Sequence, residues 1–181
     1  MINKLFILVF NKFFRKKSRN KIDLILNTNY MDIDWTNPKN KISEHFTVGE
    51  ALFLPKWKVY HIPSEIEKKN ILKAAEKMEL IRSYLNCPLN VHIWLRPILN
   101  NESSPYHRED YNAFIKGAKA SAHKIGLAVD FSPKSLTCLE AKQLLLVKLE
   151  EFNIRLEDNG DEANWLHIDL NPPINNRFFK P

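Results

Sequence analysis

Two short stretches of this 181-residue chain concentrate side chains able to do chemistry. Residues 120–130 read ASAHKIGLAVD and contain the pattern S-x-H-x-x-G-x-A-x-D; residues 164–169 read NWLHID. His123, Asp130 and His167 thus offer two imidazoles and one carboxylate. Such a set gives a zinc ion three protein ligands and leaves a fourth position for water, the requirement of a catalytic rather than a structural zinc. Bonds of about 2.0–2.2 Å to the metal need rigid supports, which strand positions at Asp130 and His167 supply. Gly126 lets the chain turn between His123 and the segment carrying Asp130. Ala128, two residues before Asp130, keeps that face open. Among the other histidines, His92 is a candidate to line the cleft, whereas His45, His61 and His107 read as surface or core residues. Cys87 and Cys138 show no ligand or base spacing and read as inert thiols, with their pairing left open.

The elements that must position these groups are readable from periodicity. Residues 91–96, 127–131 and 165–170 alternate apolar with polar or mixed positions and predict three strands. Pleating then sends Asp130, His167 and Asp169 to the face opposite Val129, Ile168 and Phe131, and Arg96 to the polar face of its own strand. A helix is predicted over 64–85, where Ile71, Ala74, Ala75, Met78, Ile81 and Leu85 recur at helical spacing. Ser64 followed by Glu67 is a capping-box signature, repeated at Thr137 and Glu140 before a second helix carrying Ala141, Leu144, Leu145 and Leu149. A shorter helix is expected from about residue 43 to 52, ended by Pro55. Together these elements predict one α+β domain over residues 42–181.

Composition restricts the function classes. Hydrophobic residues make up 44% and charged residues 27%, which excludes wholesale disorder. The formal charge of +6 invites a nucleic-acid reading, but seven basic residues and no acid fall within residues 1–21. The remainder carries 20 basic against 21 acidic residues. Basicity therefore belongs to a tail, and no nucleic-acid partner is expected for the domain. The apolar run at residues 5–10 is too short to span a bilayer. Most of the basic charge follows it, contrary to a secretory signal. Residues 1–41 read as a basic and apolar extension with a linker, and residues 1–21 are a candidate contact with an anionic surface.

The ordered motifs resemble the zinc D-alanyl-D-alanine carboxypeptidase family, which includes carboxypeptidases, dipeptidases and phage endolysins acting on peptidoglycan. The resemblance rests on S-x-H-x-x-G-x-A-x-D followed by W-x-H. Upstream it extends to Ile93-Trp94-Leu95-Arg96-Pro97, Tyr111-Asn112 and Ile115-Lys116-Gly117-Ala118, and to the opening Ser43-Glu44-His45-Phe46. It covers about residues 42–170. The resemblance implies the Hedgehog/DD-peptidase fold, a small antiparallel sheet with flanking helices. It also implies zinc held by His123, Asp130 and His167, with Arg96 contacting the substrate carbonyl or carboxylate and stabilising a developing oxyanion. A fixed guanidinium aimed at developing charge is a strong electrostatic catalyst, so the implied role is physically sound. Ser121 would brace the loop or hydrogen-bond substrate, and Tyr106 and Trp165 are candidate cleft walls.

One position departs from the family pattern. Many members place Glu or Asp three residues before the last zinc histidine as general base; here that residue is Asn164. Glu157, Asp158, Asp161, Glu162 and Asp169 are the acids nearby. Asp161 and Glu162, in the loop leading to His167, are the first-ranked catalytic candidates. Asp169 is either a base or an acceptor that orients a ligand imidazole. The expected activity is zinc-dependent hydrolysis of a stem-peptide bond in the bacterial cell wall, either D-Ala-D-Ala carboxypeptidase-like or L-Ala-D-Glu endopeptidase-like. The alternative is a non-catalytic, zinc-containing cell-wall binding module of the same fold. The absence of a clear export signal leans towards a phage lysis or virion protein.

Overall fold

Capping boxes set where three of the helices begin. The computed structural model describes residues 33–100, 102–106 and 108–180; the basic segment 1–21, residues 22–32 and His107 lie outside them. Thr47 and Glu50 cap each other, so α1 (Val48–Leu52) starts later than the expected residue 43. The residues expected to open it are engaged elsewhere. Ser43 Oγ and the backbone N–H of His45 both donate to Glu79 Oε1, at 2.7 and 2.8 Å. A two-residue hairpin follows, β1 (Phe53–Leu54) against β2 (Val59–Tyr60).

The long helix α2 (Glu65–Leu85) has the expected Ser64–Glu67 box and ends at Asn86 in the left-handed region. Its six predicted apolar positions are all buried. Beyond β3 (Leu89–Ile93) and the single-turn helix α3 (Tyr111–Phe114), a 3₁₀ turn at Ala122–Ile125 carries His123 into β4 (Ala128–Pro133). The second capping box, Thr137 with Glu140, opens α4 (Cys138–Leu146). The single helix expected through Leu149 is broken at Val147, and α5 (Leu149–Phe152) starts afresh, leaving Leu144 exposed. Then come β5 (Arg155–Glu157), β6 (Leu166–Asp169) and β7 (Phe178–Phe179).

The architecture is mixed α+β. Among the described residues the main sheet has the order β3-β4-β6-β5-β7, antiparallel except for the parallel β5–β7 pair. Val129, Phe131, Leu156, Leu166 and Ile168 are fully buried on one face. α4 packs on β4, and α2 packs on both α4 and the 3₁₀ turn. Removing such side chains from water is the dominant stabilising term. A second apolar cluster joins Ile93 to Leu54, Trp57, Leu99 and Tyr111. Within it Trp57 stacks on Tyr106, with 4.8 Å between ring centroids. Among the described residues no helix is long and apolar enough to cross a membrane.

Candidate metal centre

Strand register brings the chemistry together. In the β4–β6 ladder Asp130 pairs with His167 and Ala128 with Asp169. Directly opposed residues of an antiparallel pair share a face, so the polar face expected from alternation is formed. β5 extends it, since Arg155 pairs with Asp169. His123 arrives from the 3₁₀ turn, which ends at Gly126 with φ 79°. A Cβ there would lie 3.0 Å from Ile71 Cγ1 and 3.4 Å from the carbonyl oxygen of Glu67. Glycine therefore serves both the left-handed turn and the close approach to α2. The preceding turn is set by Asn112, whose Nδ2 donates to the carbonyl of Ala118 at 2.9 Å, with Gly117 packed against its side chain.

Three donor atoms converge. His123 Nε2 lies 3.0 Å from Asp130 Oδ1, His167 Nδ1 lies 2.8 Å from the same oxygen, and the two nitrogens are 3.1 Å apart. All three residues are buried. His123 Nδ1 is 2.8 Å from the carbonyl oxygen of Trp94, which can only accept, so the proton of a neutral ring sits on Nδ1. Burial holds the His123 pKa below the ordinary value, favouring that neutral ring. Its Nε2 lone pair then faces a carboxylate oxygen, a repulsive arrangement unless a proton or cation lies between. The edges of the triangle are close to the roughly 3.3–3.4 Å spacing of ligands in a tetrahedral site with 2.0–2.1 Å bonds. The cluster can hold a metal ion.

Charge around the cluster is balanced. Burial would raise the Asp130 pKa, but the His167 imidazolium facing it holds its carboxyl well below the usual range. Arg96 NH2 also donates to Asp130 Oδ2. Burial would lower the His167 pKa, but Asp130 and Asp169 on either side raise it to about 9. His167 Nε2 is 3.6 Å from Asp169 Oδ2, an ion-pair distance. Asp169 is itself locked: Arg155 Nε and NH2 donate to its two oxygens at 2.8 and 2.7 Å, and the N–H of Asn171 adds a bond of 2.9 Å. The Arg155 guanidinium lies over the Phe179 ring, 4.3 Å from its centroid, and that ring stands edge-on to His167 at 6.3 Å.

Of the residues singled out from sequence, His123, Asp130, His167 and Arg96 meet at one place. Arg96 lies beyond the end of β3, where its backbone N–H donates to the carbonyl of His123 at 2.9 Å. Its buried Nε has no hydrogen-bond partner among the described residues. Asp169 takes the orienting place rather than a free one. Asp161 is 77% exposed in its side chain and bonded at 3.2 Å to Lys142 Nζ, a buried ammonium that also donates to the carbonyl of Gly160 at 2.6 Å. Glu162 is exposed. Neither of the two first-ranked carboxylates makes a contact with the cluster among the described residues.

His92 does not line the site. A bulge pairs Val91 with Phe131 but Ile93 with Asp130, so the alternation expected from residue 91 to 96 is interrupted. His92 is exposed and bonds Ser132 Oγ at 2.9 Å. Ser121 precedes the 3₁₀ turn without capping it by its side chain. Cys87 and Cys138 are both free. The sequence places Glu157 among the nearby acids without ranking it and offers no signal for Phe179. On β5 Glu157 shares the face of Arg155 and is half-buried; burial, opposed by the His167 charge, raises its pKa. Alternation in a three-residue strand is too short to have flagged it.

Comparison of the chain with models of protein families, with curated protein sequences and with solved structures returns no match.

Proposed function

We propose that the chain is a zinc-dependent peptidase of the Hedgehog/DD-peptidase fold, related to the zinc D-alanyl-D-alanine carboxypeptidases. Its proposed substrates are peptidoglycan stem peptides, cut at D-Ala-D-Ala or at L-Ala-D-Glu. The observation that carries this reading is the convergence of His123 Nε2, Asp130 Oδ1 and His167 Nδ1 at 2.8–3.1 Å, beside an arginine. Two imidazoles and a carboxylate, with nitrogen and oxygen donors only, form a set that suits zinc. When bound, zinc supplies Lewis acidity towards a carbonyl oxygen and towards water.

The chain's own residues do the rest. Asp169, held by Arg155 and Asn171, orients the His167 ring so that Nδ1 faces inward. The carbonyl of Trp94 does the same for His123 Nε2. Arg96 directs NH2 to Asp130, which sets its planar head beside the cluster, where it would meet a substrate carboxylate or a developing oxyanion.

Mass spectrometry of purified muropeptides after incubation with zinc-loaded protein tests the proposal and identifies the bond. Loss of a terminal D-alanine or scission at L-Ala-D-Glu is the expected result. Arg96→Lys should keep zinc and fold yet lose most turnover, because an ammonium cannot reproduce the two-donor fork. Zinc-loaded protein that binds muropeptides and releases no product would instead support the binding module, a reading favoured by Asn164 in the place of the family's usual carboxylate.

A further inference from the structure

We infer that Glu157, on β5, is the catalytic residue that carries protons between water and the leaving amine; this rests on the peptidase reading above. Register makes the case. Arg155 pairs with Asp169 and Leu156 with Ile168, so the next step of the antiparallel ladder sets Glu157 across from His167. Side chains two apart on a strand share a face, and Arg155 reaches Asp169 on the polar face, so Glu157 lies on it too. Its charge interacts with those of His167, Asp130 and Arg96. On its other side it pairs with Phe179, whose ring stands against His167.

Three of the competing acids are committed, and the fourth, Glu162, is exposed. Asp161 holds Lys142, and Asp158 lies 3.9 Å from the same ammonium. Asp169 has both oxygens in the Arg155 fork and accepts a third bond from Asn171. The Glu157 carboxylate makes no hydrogen bond to another described residue, so its oxygens are open to water. Asn164 cannot accept a proton, and β5 offers a carboxylate from the neighbouring strand instead.

The step balances. Glu157 accepts one proton of the water as the water oxygen forms a bond to the scissile carbonyl carbon, and the carbonyl π pair moves onto its oxygen, towards Arg96. Glu157 then gives that proton to the amide nitrogen as the C–N bond breaks. The second proton of the water follows to the same nitrogen, which leaves as an ammonium; the other product is a carboxylate. Glu157 ends ionised as it began.

The test compares zinc content, muropeptide turnover and affinity for a phosphinate dipeptide in the full chain and in Glu157→Gln. The isosteric variant should hold zinc like the parent and lose about 10²–10⁴-fold in kcat, the usual size of acid–base catalysis. Its phosphinate affinity should fall by about tenfold or more, the loss of one charged hydrogen bond. Glu157→Ala should show the same loss, restored in part by added formate but not by chloride. Unchanged turnover in Glu157→Gln overturns the assignment, as does a rate loss matched by an equal loss of zinc. A larger loss in Glu162→Gln than in Glu157→Gln also overturns it. A zinc-loaded parent that cleaves no stem peptide overturns the peptidase reading, and the assignment with it.

Discussion

His167 carries the proton that a metal must displace. Its ring is flanked by Asp130 at 2.8 Å and Asp169 at 3.6 Å, and its pKa stands at about 9 against the ordinary 6.5. A group raised in the folded state stabilises the fold fully below its unfolded value, and that stabilisation disappears as pH climbs through the folded one. Metal-free protein should therefore lose stability between about pH 6.5 and 9, measured as a falling thermal midpoint. A metal ion bound at the cluster would take the Nδ1 lone pair, so zinc uptake near neutral pH should expel about one proton and tighten as pH rises. Calorimetric titration in buffers of different ionisation enthalpy counts that proton; a count of zero would remove it from His167.

Two elements hold the cluster in shape, and each has its own failure. β7 lays Phe179 over the Arg155 guanidinium, and Arg155 fixes Asp169 with two parallel bonds. Arg155→Lys keeps the charge and loses the fork, so zinc affinity should weaken by about 10–100-fold, the range for groups that orient a ligand imidazole. Competition with a chromophoric chelator measures it; unchanged affinity would make the fork a purely structural contact. The 3₁₀ turn depends on Gly126, with φ 79° and Ile71 3.0 Å from any added Cβ. Gly126→Ala should cost on the order of 1–2 kcal/mol from the left-handed backbone alone. A lowered denaturation midpoint together with reduced zinc content is the expected result, because His123 lies within the turn.

At the scale of the whole molecule, charge and chemistry occupy different parts of the chain. Seven of the 27 basic residues fall in residues 1–21, whereas all three donors of the cluster and the side chains that orient them lie between Trp94 and Phe179. Deleting residues 1–21 should leave zinc stoichiometry unchanged, since no described partner of the cluster is removed. It should abolish any salt-sensitive adhesion to anionic vesicles, because exposed charges attract through a screening length of about 10 Å at 0.1 M salt. Sedimentation at low and high salt measures the second effect. Zinc loss on deletion would show that the extension supports the site.

By itself the sequence determined what repeats locally. Period-two alternation assigned Asp130, His167 and Asp169 to one face, and the β4–β6 register bears this out. The Ser64–Glu67 and Thr137–Glu140 boxes marked the starts of α2 and α4 because a cap involves residues only three apart. Tertiary structure alone decided what depends on pairing between distant segments. The bulge at β3 gave the place opposite Asp130 to Ile93 and left His92 against Ser132. A buried lysine on α4 drew Asp161 to itself, a contact 19 residues apart in sequence. β5 paired Arg155 with Asp169 and so carried Glu157 on the same face, and the last strand brought Phe179 to the His167 ring. Cross-strand register is a property of two segments at once, and no period within either one contains it.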